Sequence, residues 1–213
     1  MESSWKHETP KEKILYKYRA FSNFENLVDI IVNSRLYAAS YDKMNDPMEG
    51  GYSFPNTYTD EQIKELEVVI GKQKFCSLSA SNDIDLMWAH YANGNRGICI
   101  GVTLKDTRRA GEAYRVIYDG QPNLMHPCEK KEQDRARKIL RHKSACWSHE
   151  KEVRIFSNDG HLVDVEIKEI IFGKRADPQL KPLVEALIKK FLPKTVILTQ
   201  DDLAQVNDAR RKD

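Results

Sequence analysis

The sequence lacks the features that mark secreted, zinc-binding and membrane-spanning proteins. Its four cysteines are widely spaced and include no Cys-x-x-Cys pair, which disfavours a disulfide scaffold or a zinc site. No apolar run approaches the roughly 18 residues that a membrane span needs, and Met1–Pro10 has no apolar signal-peptide core. We therefore predict a cytoplasmic protein with reduced thiols and without a membrane partner.

An excess of charge of one sign is also missing. The chain has 34 Lys and Arg against 32 Asp and Glu, a net charge of +2, so contact with nucleic acid requires a local basic patch. Hydrophobic residues at 40% and charged residues at 31% are typical of a folded globular protein. A length of 213 residues predicts a single domain, with flexible ends at residues 1–12 and 203–213.

The motifs of common nucleotide-binding and hydrolytic enzymes are absent. The sequence contains no P-loop, no G-x-G-x-x-G, no H-E-x-x-H and no G-x-S-x-G. Predicted strands outnumber predicted helices, and many are joined by turns. This order predicts the α+β class, with a mixed or antiparallel sheet and flanking helices.

Local patterns predict individual elements. Ser22 with Glu25, and Thr59 with Gln62, predict capping boxes at the starts of two helices. Residues 150–156 and 162–167 flank an Asn-Asp-Gly turn, which predicts a hairpin. Residues 169–173 predict a separate strand.

Residues 129–143 predict a strongly charged helix. Seven Lys or Arg residues stand there against three acids. Charged helical segments most often form a solvated face, but the cations of this segment are also suited to bind phosphate groups. Both interpretations remain open from the sequence.

The stretch that follows this helix carries the strongest sign of chemistry. If it is a strand from Glu150 onward, alternation places Glu150, Glu152 and Arg154 on one face. Two carboxylates about 7 Å apart repel each other, which raises one pKa unless a cation compensates. Such a pair can stabilise developing positive charge. The structural alternative is an ion pair on a solvated face.

Several short motifs, each occurring once, follow one another along most of the chain. They are Tyr18-Arg19, Asn45-Asp46-Pro47-Met48-Glu49, Leu86-Met87-Trp88-Ala89-His90-Tyr91-Ala92, Lys143-Ser144 with Trp147, and Glu150, Glu152 and Arg154. Together they resemble the signature of a bacterial and phage family known only as a domain of unknown function.

The layout is also similar to that of ADP-ribosyltransferase folds, including the DNA-modifying toxin type. That resemblance implies NAD as co-substrate, a macromolecular acceptor such as nucleic acid or protein, and a toxin or phage-defence setting. It implies a catalytic role for Glu152, or for Glu150 in its place. The residues it implies for NAD binding are Tyr18, Arg19, Asn45, Asp46, His90 and Tyr91.

Two other functions fit the same residues. One is a metal-dependent nuclease or phosphoesterase with magnesium or manganese on Asp46, Glu49, His90, Glu150 and Glu152. Their spacing matches no metal site that can be derived, so we assign no metal ligands. The other is a non-catalytic module that binds nucleic acid or a protein partner.

Overall fold

The computed structural model describes residues 13–44, 49–54, 58–107, 111–124 and 132–210. In this part of the chain the strands and α-helices follow in the order β1 (Leu15–Arg19), α1 (Phe24–Asn33), β2 (Arg35–Tyr37), β3 (Ala39–Ser40), α2 (Asp60–Gly71), β4 (Lys74–Ser79), α3 (Asp85–His90), β5 (Ile98–Leu104), β6 (Glu112–Arg115), α4 (Glu132–Ile139), β7 (Glu152–Phe156), β8 (Leu162–Phe172), α5 (Leu180–Phe191), β9 (Val196–Thr199) and α6 (Leu203–Arg210). Most strand pairs are antiparallel, which confirms the predicted α+β class. None of the described helices is long and apolar enough to cross a bilayer.

The chain divides into two compact units, each built from separate stretches of sequence. The first contains the described residues of 37–77 and 108–163, and the second those of 10–36, 78–107 and 164–213. The expectation of a single domain stays a prediction. Residues 203–210, expected to belong to a flexible end, form helix α6, in which Leu203 is buried.

The first unit packs two helices against antiparallel strands. Strand β3 pairs with β4 through Ala39 and Phe75, and β6 pairs with β7 along four residues. Leu66 of α2 and Ile139 of α4 belong to one buried apolar cluster with Phe75 and Phe156. This apolar cluster supports β7, the strand that carries Glu152 and Arg154.

The second unit has a mostly antiparallel sheet. Strand β1 pairs with β5, β5 pairs with β8, and β9 joins β8 in parallel. Its core includes Trp88, whose indole N–H donates to the Asn82 carbonyl at 2.9 Å. Tyr18 packs edge-on against Trp88 with ring centroids 5.3 Å apart. Trp88 therefore has a structural role.

One predicted capping box is confirmed and the other is wrong. The Gln62 N–H donates to Thr59 Oγ1 at 3.3 Å, and the Thr59 N–H donates to Gln62 Oε1 at 3.0 Å. Helix α1 begins after Asn23, which has a left-handed backbone and forms no side-chain cap. Asn tolerates that conformation better than most residues, so the backbone turn, not a Ser22 cap, starts this helix.

The predicted hairpin between residues 150–156 and 162–167 is wrong. Strand β7 pairs with β6, in the register Glu112 to Phe156, whereas β8 pairs with β5. The predicted strand at residues 169–173 is the second half of β8. The predicted helix at residues 129–143 is shorter, Glu132–Ile139, and residues 129–131 lie outside the described ranges.

Candidate functional site

The two candidate catalytic glutamates lie on either side of a sharp backbone turn. Residues Ala145–Glu150 form a 3-10 helix, Lys151 has a left-handed φ of 46°, and β7 begins at Glu152. The prediction that Glu150 belongs to the strand is therefore wrong. The turn nevertheless directs both carboxylates toward one cation, so the predicted pairing of Glu150 with Glu152 holds for a different local reason.

That cation is the ammonium group of Lys143. Its Nζ lies 2.7 Å from Glu150 Oε2 and 3.3 Å from Glu152 Oε2, and all three side chains are buried. Burial opposes ionisation of Lys143, but the fields of Glu152 and Glu150 outweigh it and raise the pKa of Lys143. Lys143 therefore stays charged and holds the two carboxylates together.

Arg154 holds the other side of Glu152. Its Nε donates to Glu152 Oε1 at 2.8 Å and its Nη2 to Glu152 Oε2 at 3.1 Å, a bidentate pair. The guanidinium lies over the Phe75 ring at 4.8 Å, and its Nη1 donates to the Leu140 carbonyl. Arg154 is 1% exposed and Glu152 is 5% exposed, so the expected alternative of an ion pair on a solvated face is wrong.

Glu49 joins the same group from a distant part of the sequence. Its carboxylate pairs with Arg154 Nη1, and its side chain is buried. Glu49 ends the Asn45–Glu49 motif, whose predicted site residues Asn45 and Asp46 lie outside the described ranges. We call the five side chains Glu49, Lys143, Glu150, Glu152 and Arg154 the ion cluster. Its three carboxylates contact two cations, Lys143 and Arg154.

The charge state of Glu152 follows from this arrangement. Burial alone would raise its pKa, but Arg154 and Lys143 lower the pKa of Glu152 to about 2 from an ordinary 4.5. Glu152 is therefore ionised at neutral pH although it is buried. A fixed carboxylate in such surroundings interacts more strongly with a nearby positive charge than it would in water.

Two half-buried aromatic residues contact the ion cluster. The Tyr118 hydroxyl accepts a hydrogen bond from the Glu152 N–H at 2.6 Å, and burial is the main cause that raises the pKa of Tyr118 to about 12. The Trp147 ring lies 4.7 Å from Lys143 Nζ. The catalytic and NAD-binding residues expected from the sequence did not include Tyr118, Lys143 or Glu49, and Glu49 was named only for the metal-dependent alternative. Only Lys143 and Glu49 lie in the quoted motifs.

The other predicted site residues belong to the second unit. Tyr18 is buried, and its hydroxyl donates to the Ser81 carbonyl at 2.9 Å and accepts from the Ile84 N–H at 3.4 Å. Arg19 is half-buried at the end of β1, His90 is exposed at the end of α3, and Tyr91 is half-buried beside Trp88 and its neighbours. Their proposed role in NAD binding stays a prediction.

The described residues offer no metal centre. They contain no group of three or more His, Cys, Asp or Glu side chains arranged to hold a metal ion. Within the ion cluster, Glu49, Glu150 and Glu152 each contact Lys143 or Arg154.

Comparison with known proteins gives one finding. Residues 87–155 match the model of DUF2971, a protein family of unknown function. This match confirms the resemblance to a family known only as a domain of unknown function. The matched segment contains Lys143, Trp147, Glu150, Glu152 and Arg154, whereas Glu49 precedes it. No curated protein and no solved structure matches the chain.

Proposed function

We propose that this chain is an ADP-ribosyltransferase-like enzyme that cleaves the bond between nicotinamide and ribose in NAD, with Glu152 as the catalytic carboxylate. The observation that carries the proposal is the ion cluster, in which Glu152 is buried and yet ionised. The nicotinamide ring of NAD carries a positive charge and the ribose develops one during cleavage, so an ionised carboxylate is complementary to both.

The proposed chemistry needs a fixed negative charge. As nicotinamide leaves, positive charge grows on the ribose, and an oriented carboxylate that is already ionised stabilises it without first having to reorganise. Glu152 accepts two hydrogen bonds from Arg154 and one from Lys143, and these restrict the orientation of its carboxylate. The ADP-ribosyl group then passes to a nucleic-acid or protein acceptor, or to water in a glycohydrolase reaction.

Nicotinamide release from NAD tests this proposal. Purified protein is incubated with NAD alone, with DNA, and with a protein extract, and free nicotinamide is measured by chromatography. We expect release that EDTA does not abolish, because the proposed chemistry uses no metal ion. Absence of nicotinamide in every mixture would contradict the proposal.

A second candidate is a non-catalytic binding module, and the burial of the ion cluster favours it. None of the five side chains is more than 6% exposed, so a ligand reaches Glu152 only if neighbouring groups move. In that case the ion cluster serves to hold Glu49 and the turn at Lys151 in place. A protein that leaves NAD intact but shifts a nucleic acid in a salt-dependent manner would support this candidate.

A metal-dependent nuclease or phosphoesterase gains no support from these contacts. Its predicted ligands Glu49, Glu150 and Glu152 are bound to cations, His90 belongs to the second unit, and Asp46 lies outside the described ranges. An activity that EDTA abolishes and that needs no NAD would restore this alternative.

A further inference from the structure

Arg141 is a buried cation that, unlike the buried cations near it, has no carboxylate partner among the described residues. It follows helix α4 and is 8% exposed. Its guanidinium lies over the Tyr114 ring at 4.6 Å, and its Nε donates a long hydrogen bond of 3.5 Å to the Arg115 carbonyl. Its Nη2 is buried and has no hydrogen-bond partner in the part of the chain that the structure describes.

Nearby buried cations have carboxylate partners. Arg137 pairs with Glu112 at 2.8 Å, Lys143 with Glu150 at 2.7 Å, and Arg154 with Glu152 at 2.8 Å. Arg141 forms no ion pair with any described residue. Burial consequently lowers the pKa of Arg141, and a buried charge without a partner is costly for a folded protein.

We propose that Arg141 is the anchor of an oxyanion-binding site, separate from the ion cluster, that takes a phosphate group. A guanidinium is planar and presents its N–H groups as a fork that matches the spacing of two phosphate oxygens. The Tyr114 ring beneath it fixes the plane of that fork. The negative charge of the ligand supplies the partner that the described residues do not provide.

The segment that carries Arg141 is rich in cations. Helix α4 and the turn after it carry Arg135, Arg137 and Lys138 besides Arg141. Arg137 is paired with Glu112, which also accepts a hydrogen bond from the Tyr114 hydroxyl at 2.5 Å. The proposed site thus lies in the segment for which the sequence left phosphate contacts open, but it uses a buried arginine after the helix and not a solvated helix face.

Thermal unfolding in sodium phosphate tests the proposal, with sodium chloride of equal ionic strength as the reference. We expect the melting temperature of the wild type to rise with phosphate and to saturate as for a single site. Arg141→Met should weaken the apparent phosphate affinity by about tenfold or more, the loss expected for a charge-assisted hydrogen bond. Arg115→Met removes an exposed guanidinium from the adjacent strand and should leave the affinity unchanged.

The same experiment separates the two sources of phosphate. A short single-stranded oligothymidylate that acts at much lower concentration than inorganic phosphate assigns the site to a nucleic-acid backbone. Inorganic phosphate acting alone assigns it to a small phosphorylated molecule. A wild type that responds equally to phosphate and chloride overturns the proposal without any variant. Equal phosphate affinity in the wild type and in Arg141→Met, or in a folded Arg141→Gln, also overturns it.

Discussion

Replacing Arg154 with methionine is expected to lower the free energy of unfolding by about 3–5 kcal/mol, the usual cost of removing one partner from a buried ion pair. Methionine leaves Glu49 and Glu152 buried without the guanidinium that both contact. It also removes the hydrogen bond to the Leu140 carbonyl and the contact with Phe75. Equilibrium unfolding in urea measures the loss.

Arg35→Met is the matched control for this substitution. Arg35 forms an equally well-aligned pair with Asp29 at 2.7 Å, but the two side chains are 32% and 38% exposed. Solvent screening limits such pairs to about 1 kcal/mol or less. Equal losses of stability in the two variants would show that burial does not strengthen the Arg154 contacts.

The second large effect concerns activity. Glu152→Gln is expected to reduce nicotinamide release by about a hundredfold to a thousandfold, the range found when one preorganised electrostatic group is removed. Glutamine keeps the size of the side chain but carries no negative charge for the ribose. The rate of nicotinamide release per folded molecule measures the effect.

Two checks separate loss of chemistry from loss of folding. Glu152→Gln leaves Arg154 and Lys143 with one carboxylate fewer, which is expected to lower stability. Circular dichroism at the assay temperature therefore serves to measure the folded fraction. Glu166→Gln removes an exposed carboxylate that pairs with Lys168 at 2.6 Å and should keep full activity. A Glu152→Gln protein that is folded and as active as the wild type would exclude Glu152 as the catalytic carboxylate.

Strand periodicity in the sequence predicted the part of the site that Glu152 and Arg154 form. Residues two apart on a strand share a face, and Glu152 and Arg154 do form a bidentate pair. The same rule failed for Glu150, because a positive φ at Lys151 interrupts the extended backbone. A left-handed lysine has no reliable sequence signal, whereas a glycine at that position would have indicated a turn.

The sequence did not indicate that several cations of this region are buried. A segment rich in Lys and Arg usually faces solvent, yet Arg137, Arg141 and Lys143 are buried. Each has an aromatic ring beneath its charge, and those of Arg137 and Arg141 are Phe156 and Tyr114. Phe156 and Tyr114 belong to strands distant in sequence, so only the tertiary structure brings these two rings to their cations.

Long-range partners could not be predicted from pattern at all. Glu49 lies more than a hundred residues before Arg154, and Tyr118 meets the Glu152 backbone because β6 and β7 pair. The Asn-Asp-Gly turn indicated a local hairpin instead. Apolar packing decides between such pairings, since Phe156 and Phe75 join one buried cluster when β7 lies where it does.

The pH dependence of stability tests the central claim, that Glu152 is ionised inside the ion cluster. Its pKa is about 2 in the folded protein and 4.5 ordinarily, so the unfolded chain binds the proton more tightly. The resulting stability, about 3 kcal/mol, is fully present above pH 4.5 and is lost as the pH falls toward 2. Asp29 and Glu112 also have lowered pKa values and contribute an acid loss in both proteins, so urea unfolding should show a loss that is larger by about 3 kcal/mol in the wild type than in Glu152→Gln. The same loss in both proteins would contradict the claim.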